Sequence, residues 1–286
     1  MKKIFIPLLL VLGFTSCEDV VDIDVENGIP QVSIDAFINN LPVDQIIYLK
    51  QSKNFFDKAE QTPIIGAQVN VVDSEGKVYT FVDTDNKGEY TWNDSILAEE
   101  GLKYNLEVTI DNELYTSEQI ANPVPTIDSL IIGPIEGGFG GNEPNDFEFQ
   151  LEMIVNDLPG RTDYYWTKVF RNDTLQNGPN DINVVLDGGG TGSDGLLFIP
   201  PARIFAINNF GRPYNKGENV KIEIHSINKN TYFFFNQVTN QINNSGLFAV
   251  PSSNVRTNIE SSSNDTEKKA IGMFSVSMVS IAEKDI

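Results

Sequence analysis

Cysteine and histidine are nearly absent from this sequence. Among 286 residues there is one cysteine, Cys17, and one histidine, His225. A single thiol cannot form an internal disulfide, and a metal site with histidine ligands or a Ser-His-Asp arrangement would depend on His225 alone. His225 falls on the polar side of the alternating run 220–225, where a solvent-exposed histidine is expected. The sequence therefore predicts a protein that is not an enzyme, with no catalytic set, no metal and no cofactor.

Positive charge is also scarce. The chain has 20 lysine and arginine residues against 40 acidic residues, so its formal net charge is −20, and the charge becomes −22 once a leader that holds Lys2 and Lys3 is removed. Such a surface repels phosphate backbones and anionic lipid headgroups. The composition therefore argues against nucleic-acid binding and against electrostatic docking onto a membrane.

Long apolar runs are scarce as well, and the run at residues 4–14 is too short to span a bilayer, which needs about 20 residues. Two lysines precede this run, and the small residues Thr15 and Ser16 separate it from Cys17. This order is typical of a bacterial lipoprotein signal, so we expect residues 1–16 to be removed and Cys17 to be acylated, which anchors the chain to a membrane. The alternative, an ordinary secreted protein, leaves a free thiol without a role.

Acidic residues directly follow the cysteine, in the segment 17–29. One interpretation is a solvated, disordered tether, because charge is high and apolar surface is scarce. The acidic run also resembles the export signal that sends Bacteroidota lipoproteins to the outer face of the outer membrane, and its residues are Glu18, Asp19, Asp22 and Asp24. The predicted location is therefore the outer membrane, with the lipid-anchored chain facing the cell exterior.

From residue 30 onward, apolar and polar residues alternate in short runs separated by turn signals. The runs 32–36, 104–110 and 147–153 are clear examples. A period of two predicts strands, and several short strands at this spacing predict antiparallel β-sandwiches. Prolines at positions 123 and 125 favour an extended linker and mark a domain boundary.

We therefore predict an all-β fold with two antiparallel β-sandwich domains. The first covers residues 30–125 and is transthyretin-like or immunoglobulin-like, and the second covers residues 126–286. One short helix is predicted in the second domain near 231–242, with Asn230 as its N-cap and Phe234 and Val238 on its buried face. In the strand around residues 164–166, we expect the face that carries Tyr164 and Trp166 to be core.

Two loops superficially match ligand-binding motifs. Residues 83–88 begin like a calcium loop, but Lys87 occupies a ligand position and Asp94 stands where a bidentate glutamate is needed, so a solvated hairpin turn is expected. Residues 187–195 are dense in glycine but lack the Gly-Lys-Ser/Thr ending of a phosphate-binding loop. We interpret them as a long surface loop.

Three Asp-Ser/Thr-aliphatic tripeptides begin at residues 94, 128 and 173. The pattern is short enough to arise by chance in a chain rich in aspartate and serine. It also resembles the O-glycosylation acceptor of exported Bacteroidota proteins, which implies modification at Ser95, Ser129 and Thr174.

Several segments, in their order along the chain, resemble one family: the Bacteroidota outer-membrane lipoproteins that carry a domain of unknown function and are often encoded beside TonB-dependent receptors. The segments are 63–69, 73–76, 85–90, 114–117, 124–130, 232–246, 247–259 and 271–274. The resemblance covers nearly all of the mature chain. It implies a location and an architecture, and no catalytic residue can be transferred from it.

These observations lead to one functional expectation and two alternatives. The expectation is a surface-exposed outer-membrane lipoprotein that acts without catalysis as an accessory or ligand-capture partner of a β-barrel protein, namely a TonB-dependent transporter. One alternative is a structural or assembly accessory of an outer-membrane protein complex. The other is a surface glycan hydrolase that uses two carboxylates, although with 40 acidic residues no single pair stands out.

The segment 247–258 is the candidate for contact with a partner. It follows the predicted helix and holds Phe248 and Arg256, an aromatic residue and a rare positive charge of the kinds that are enriched at interface hot spots. The alternative is that Phe248 and Val255 pack this loop onto the second sandwich.

Overall fold

The structure is a computed structural model that describes residues 29–53, 57, 59–94, 97–134, 148–187, 194–209, 211–244, 253–263, 265 and 268–286. The predicted lipidation site and export signal lie outside these residues, as do Ser95 and Phe248. Strands dominate the described part, which confirms the predicted all-β sandwich fold. Among the described residues, no helix is both long enough and apolar enough to cross a membrane.

The described strands are numbered in chain order. They are β1 (Val32–Asn39), β2 (Gln45–Gln51), β3 (Thr62–Pro63), β4 (Gln68–Asp73), β5 (Val78–Phe81), β6 (Glu89–Trp92), β7 (Lys103–Ile110), β8 (Glu113–Ile120), β9 (Ile127–Pro134), β10 (Glu148–Val155), β11 (Asp163–Arg171), β12 (Thr174–Leu175), β13 (Asn183–Asp187), β14 (Tyr214–Asn215), β15 (Asn219–Ile227), β16 (Glu260–Ser261), β17 (Ala270–Ser277) and β18 (Val279–Asp285). A π-helical turn covers Pro201–Phe205, and helix α1 covers Lys229–Ile242.

The strands form four sheets. Sheet 1 has the order β17-β1-β2-β3, with β6 also paired to β2, and sheet 2 has the order β16-β8-β7-β4-β5. Sheet 3 has the order β14-β10-β9, and sheet 4 has the order β12-β11-β15-β18, with β13 also paired to β11. The pairings are antiparallel except for β1 with β17, which run parallel in register from Val32↔Ala270 to Asn39↔Ser277.

Sheets 1 and 2 form the first sandwich because each presents an apolar face to the other. Ile34 and Ala36 on β1 are fully buried, as are Leu106 and Val108 on β7, and all four lie in one core cluster. The residues between them on each strand are more exposed. The period of two in the sequence thus places one side of each strand in the core.

Sheets 3 and 4 form the second sandwich. Its core holds Leu151 of β10, Tyr165 of β11 and Ile224 of β15. The expectation that Tyr164 and Trp166 form the core face is wrong: Tyr165 is fully buried inside the sandwich, whereas Tyr164 and Trp166 lie on the opposite face of sheet 4. The alternating pattern correctly separates the two faces of this strand, but both faces are covered.

The C-terminal stretch differs from the predicted division of the chain at residue 125. Strands β16 and β17 belong to the sheets of the first sandwich, and only β18 returns to the second. The chain passes from the first sandwich to the second at Met278, between β17 and β18. The N–H of Met278 donates to Ser226 Oγ at 3.1 Å, and Ser226 Oγ donates to the carbonyl of Asn122 at 2.6 Å. The Ser226 hydroxyl therefore links the two passages of the chain between the sandwiches.

Helix α1 lies against both sandwiches. It begins at Lys229 rather than Thr231, and its N-cap position is Asn228, whose side chain donates to the carbonyl of Ile120 at 3.0 Å instead of capping the helix. The predicted N-cap Asn230 is wrong, because it lies inside the first turn. The buried residues are Thr231 and Phe235, whereas Phe234 and Val238 are only half-buried, so the predicted face lies beside the buried one. The helix turns through about 100° per residue, and a one-residue error in phase moves a different residue into contact.

Candidate functional site

His225 is buried, contrary to the expectation of a solvent-exposed side chain. It pairs across the strands with Trp166, and the two rings lie 5.4 Å apart between centroids. The face of sheet 4 that carries these rings is covered, because the ring of Phe235 on α1 lies 4.6 Å from that of Trp166. Only 2% of His225 remains exposed. Sequence periodicity could not show that a helix covers this face.

The environment of His225 keeps it uncharged at neutral pH. Burial and the nearby Lys168 ammonium lower the pKa of His225 to about 4, although the Glu223 carboxylate, 3.1 Å from His225 Nε2, opposes this shift. Burial alone would raise the pKa of Glu223, but His225 and Lys221 hold it below its ordinary value. His225 therefore belongs to a closed, hydrogen-bonded group within the covered face, without access to a substrate from solvent.

A cleft in the second sandwich is the candidate functional site. It is a shallow depression open to solvent, with an enclosed volume of only about 30 Å³, and it lies between the β11–β13 segment and the stretch 207–214. Val169 and Ile207 contribute apolar surface. Carboxamide side chains make up much of the remaining lining, and they belong to Gln176, Asn180, Asn183, Asn208 and Asn209. Such a lining offers both hydrogen-bond donors and acceptors without net charge.

The charged residues of the cleft are paired with one another. Arg212 donates to Gln176 Oε1 at 3.1 Å and forms an ion pair with Asp181. Arg171 donates from Nε and Nη2 to a single oxygen of Glu218, at 2.9 and 2.6 Å. Two cations thus face two carboxylates. The cleft can hold a neutral polar ligand without the cost of an uncompensated charge.

The same ion pairs fix the two walls of the cleft. Burial opposes the ionisation of Asp181, yet the hydrogen bonds from Arg212 and from the N–H of Gly178 hold its pKa below the ordinary value. Asn208 donates to the carbonyl of Leu151 at 2.7 Å and accepts from its N–H at 2.9 Å. The hydroxyl of Tyr214 donates to the carbonyl of Ile207, and burial raises its pKa. The walls are therefore held by side-chain hydrogen bonds before any ligand binds.

The sequence-predicted site residues that the structure describes do not converge on this cleft. Ser129 is exposed on β9, Thr174 is exposed on β12, and Arg256 is exposed beyond α1, with its backbone N–H donating to Gln237 Oε1 at 2.9 Å. Across the described ranges, no group of three or more His, Cys, Asp or Glu side chains is arranged to hold a metal ion.

The sequence patterns did not predict the cleft. The one available signal was the density of asparagine and glutamine in 172–183 and 207–209. Asparagine is also common in turns, and Asn172 has a left-handed φ of 47° in the turn after β11. Composition alone does not separate turn asparagines from asparagines that line a cleft.

Comparisons with known proteins give a family but no activity. No curated protein matches the chain. A family model described as "Domain of unknown function (DUF4249)" matches residues 18–282, which include both sandwiches and α1. The match covers far more than half of the sequence, and the chain therefore belongs to the DUF4249 family.

Proposed function

We propose that the protein is a surface-exposed outer-membrane lipoprotein that acts, without catalysis, as an accessory or ligand-capture partner of a TonB-dependent transporter. The observation that carries the ligand-capture role is the charge-balanced cleft between Arg171 and Arg212, with its carboxamide lining. The lipoprotein signal ahead of Cys17 supports the anchor, and the acidic tether supports display on the outer face.

The chemistry of the cleft favours an uncharged ligand rich in hydrogen-bonding groups. An anion would have to compete with Asp181 and Glu218 for the two arginines, in a protein with a net charge of −20. A wholly apolar ligand would displace water from the Asn180 amide at the rim without replacing its hydrogen bonds.

Cys17→Ser should abolish membrane attachment. The acyl chains contribute about 0.8 kcal/mol for each buried methylene, and the acidic surface supplies no electrostatic attraction to replace them. Fractionation followed by mass spectrometry of the N-terminus tests this, with Ser16→Ala as the control variant that keeps the thiol. A Cys17→Ser protein that is still cleaved after Ser16 and stably membrane-bound would refute the anchor.

The native lipoprotein should co-purify with a TonB-dependent transporter when outer membranes are extracted in mild detergent. We expect Arg256→Ala to reduce this capture about tenfold or more, because arginine is enriched among interface hot spots and the exposed guanidinium is available to a partner. Lys216→Ala is the matched control, since Lys216 is another exposed cation on the same protein. Capture of a biogenesis or secretion barrel instead would favour the alternative role as a structural or assembly accessory.

The same detergent extract tests the role of the cleft. Native mass spectrometry should detect a neutral small molecule on the wild-type lipoprotein, and Asn180→Ala should lose it while the melting temperature is unchanged. Asn180 is suited to this comparison because it is exposed on the rim of the cleft. If the wild-type protein carries no small molecule but still binds the transporter, ligand capture is contradicted and the accessory role alone remains supported.

A further inference from the structure

Four aspartates lie together at the end of the second sandwich where β10, β11 and β13 meet. Asp163 and Asp187 are direct cross-strand partners on β11 and β13, Asp157 follows β10, and Asp194 begins the stretch 194–198, which we call the strap. Asp157 is 5% exposed and Asp163 is 3% exposed. The described carboxylates are not arranged as a metal site. Their mutual repulsion must be relieved in another way.

The hydrogen-bond pattern of this group is incomplete. Asp157 accepts from the Tyr165 hydroxyl at 3.3 Å and from the Gly195 N–H at 3.2 Å, and Asp163 accepts from Arg161 Nε at 2.7 Å. The second oxygen of Asp163 and one oxygen of Asp187 are buried without a hydrogen-bond donor. A buried carboxylate oxygen without a donor is costly, and a proton on one of these carboxyl groups removes that cost.

The contact between Asp157 and Asp187 shows where that proton belongs. The Asp187 oxygen without a donor is buried in this group, and Asp157, as a side-chain hydrogen-bond partner, raises the pKa of Asp187. Two carboxylates have no hydrogen to share, so such a bond requires that one of them is protonated. Like-charged carboxyl groups in one site commonly hold a single proton between them for this reason.

The strap depends on the same group. Asp157 N–H donates to the carbonyl of Leu196 at 2.8 Å, and the Phe198 N–H donates to the carbonyl of Val155 at 2.9 Å. The strap leads into the π-helical turn and then to Ile207, which lines the cleft, while β13 carries Asn183 to the cleft at its other end. The aspartate group thus holds the far ends of both segments that form the cleft walls.

We propose that Asp157 and Asp187 share one proton, and that loss of this proton as the pH rises loosens the strap and makes the second sandwich a pH-sensitive element. The charged groups facing the pair are Asp163, Asp194 and Arg161, with the hydroxyl of Tyr165. Helix α1 also packs on β13, and its ionisable groups are Lys229, whose ammonium lies over the Phe233 ring, and Tyr232. Arg161 is engaged by Asp163, so no cation among the described residues that face the pair is left to neutralise Asp187.

The sign of the pH dependence follows from the proton affinities of the two states. Burial and the contact with Asp157 raise the pKa of Asp187 from 3.8 to about 6. The folded protein therefore holds this proton more tightly than the unfolded chain does, and its stability falls as the pH rises from about 4 to about 6. His225, with its lowered pKa, acts in the opposite direction over the same interval. The wild-type profile combines both effects, so a matched variant is needed to separate them.

Asp187→Asn supplies that comparison, because the amide has the shape of a protonated carboxyl and can donate to Asp157. Chemical denaturation of wild type and variant should give nearly equal folding equilibrium constants near pH 3, below the ordinary pKa of 3.8 at which the unfolded chain releases the proton. By pH 7 the variant should fold with a constant roughly 10- to 100-fold larger, since a shift of two pKa units corresponds to at most about 100-fold. Asp173→Asn, an exposed control on the turn after β11, should show no such pH-dependent difference.

A difference between Asp187→Asn and wild type that does not change with pH would overturn the proposal. If the variant does not fold, carbon-13 titration of the Asp187 carboxyl in the wild-type protein decides instead: an apparent pKa near 6 supports the shared proton, and one near 4 refutes it. Amide exchange at Phe198, corrected for its intrinsic pH dependence, should accelerate between pH 5 and pH 7.5 in wild type only. Calcium added at pH 7.5 tests the other explanation. If it raises the melting temperature of wild type but not of Asp187→Asn, the unpaired oxygens bind a cation, and the proposal of a shared proton is overturned.

Discussion

Gly272→Ala should lower the free energy of unfolding by about 3–5 kcal/mol, a large fraction of the roughly 5–15 kcal/mol that stabilises an ordinary protein. Gly272 lies on β17 beside β1 with a left-handed φ of 101°. A Cβ atom there would lie 2.2 Å from the carbonyl oxygen of Ile34 and 2.8 Å from its carbonyl carbon. Both atoms belong to the backbone of the paired strand, so they cannot move aside without breaking the parallel β1–β17 pairing. Denaturant titration of the purified protein measures the effect.

Two control variants separate backbone strain from the steric clash. Gly217→Ala has a similar left-handed φ of 89° but no atom within 4 Å of the new Cβ, so it should cost only about 1–2 kcal/mol. Gly133→Ala meets no neighbour either and has no left-handed φ, and it should be nearly neutral. If Gly272→Ala costs no more than Gly217→Ala, β17 can move away from β1, and the close approach is not needed for stability.

The importance of Gly272 illustrates what the sequence could and could not predict. Alternation identified the strands and their buried faces, as in β7, where Tyr104, Leu106 and Val108 are buried. It carries no information about which strand lies alongside. Residue 272 pairs with residue 34, and no local pattern links positions so far apart. The parallel pairing, and with it the placement of β17 in the first sandwich, became visible only in the structure.

The covered face of sheet 4 was unpredictable for a related reason. The sequence correctly separated Tyr164 and Trp166 from Tyr165, because successive strand residues point to opposite sides. The presence of two aromatic residues on one face favours the face of Tyr164 and Trp166 as the core. In the structure the inner face of sheet 4 packs on sheet 3, and the outer face packs on α1 and on Phe37 of β1. When both faces of a strand are buried, its sequence does not show which face packs inside the sandwich that the strand belongs to.

The cleft depends on side chains that a one-dimensional pattern cannot bring together. Arg212 meets Gln176 and Asp181 across more than thirty residues of sequence, and Arg171 meets Glu218 across 47. Each of these residues, taken singly in the sequence, is of a type that is usually exposed on a protein surface. The compensation of each arginine by a carboxylate distinguishes a neutral cleft from an anion site, and that compensation is a property of the fold.

Helix α1 unites these features because it joins the two sandwiches. It packs on β17 of the first sandwich and on β11 and β13 of the second. Thr231 donates to Ser275 Oγ at 3.2 Å on β17, and Phe235 stacks on Phe37 of β1 with centroids 5.5 Å apart. The orientation of the cleft relative to the first sandwich is therefore set in large part by one helix face.

Phe235→Ala should consequently cost about 3–4 kcal/mol, in the range typical for truncation of a buried phenylalanine. Phe235 is 7% exposed, and its ring also lies 4.6 Å from that of Trp166 and 5.7 Å from that of Phe234. Removing it takes away the ring of α1 that contacts both Phe37 of β1 and Trp166 of β11. We expect faster amide exchange across α1 and a change in Trp166 fluorescence at denaturant concentrations where the core of the first sandwich is still protected.

Phe233→Ala is the matched control two residues away on the same helix. Phe233 is 48% exposed and contacts its helix neighbour Tyr232 at 5.4 Å between centroids, so its removal should cost less than about 1 kcal/mol. Equal losses from the two variants would mean that the helix contributes through its own propensity rather than through packing between the sandwiches. A large loss confined to Phe235→Ala, with the exchange of α1 uncoupled from that of β7, identifies α1 as the element that fixes one sandwich against the other.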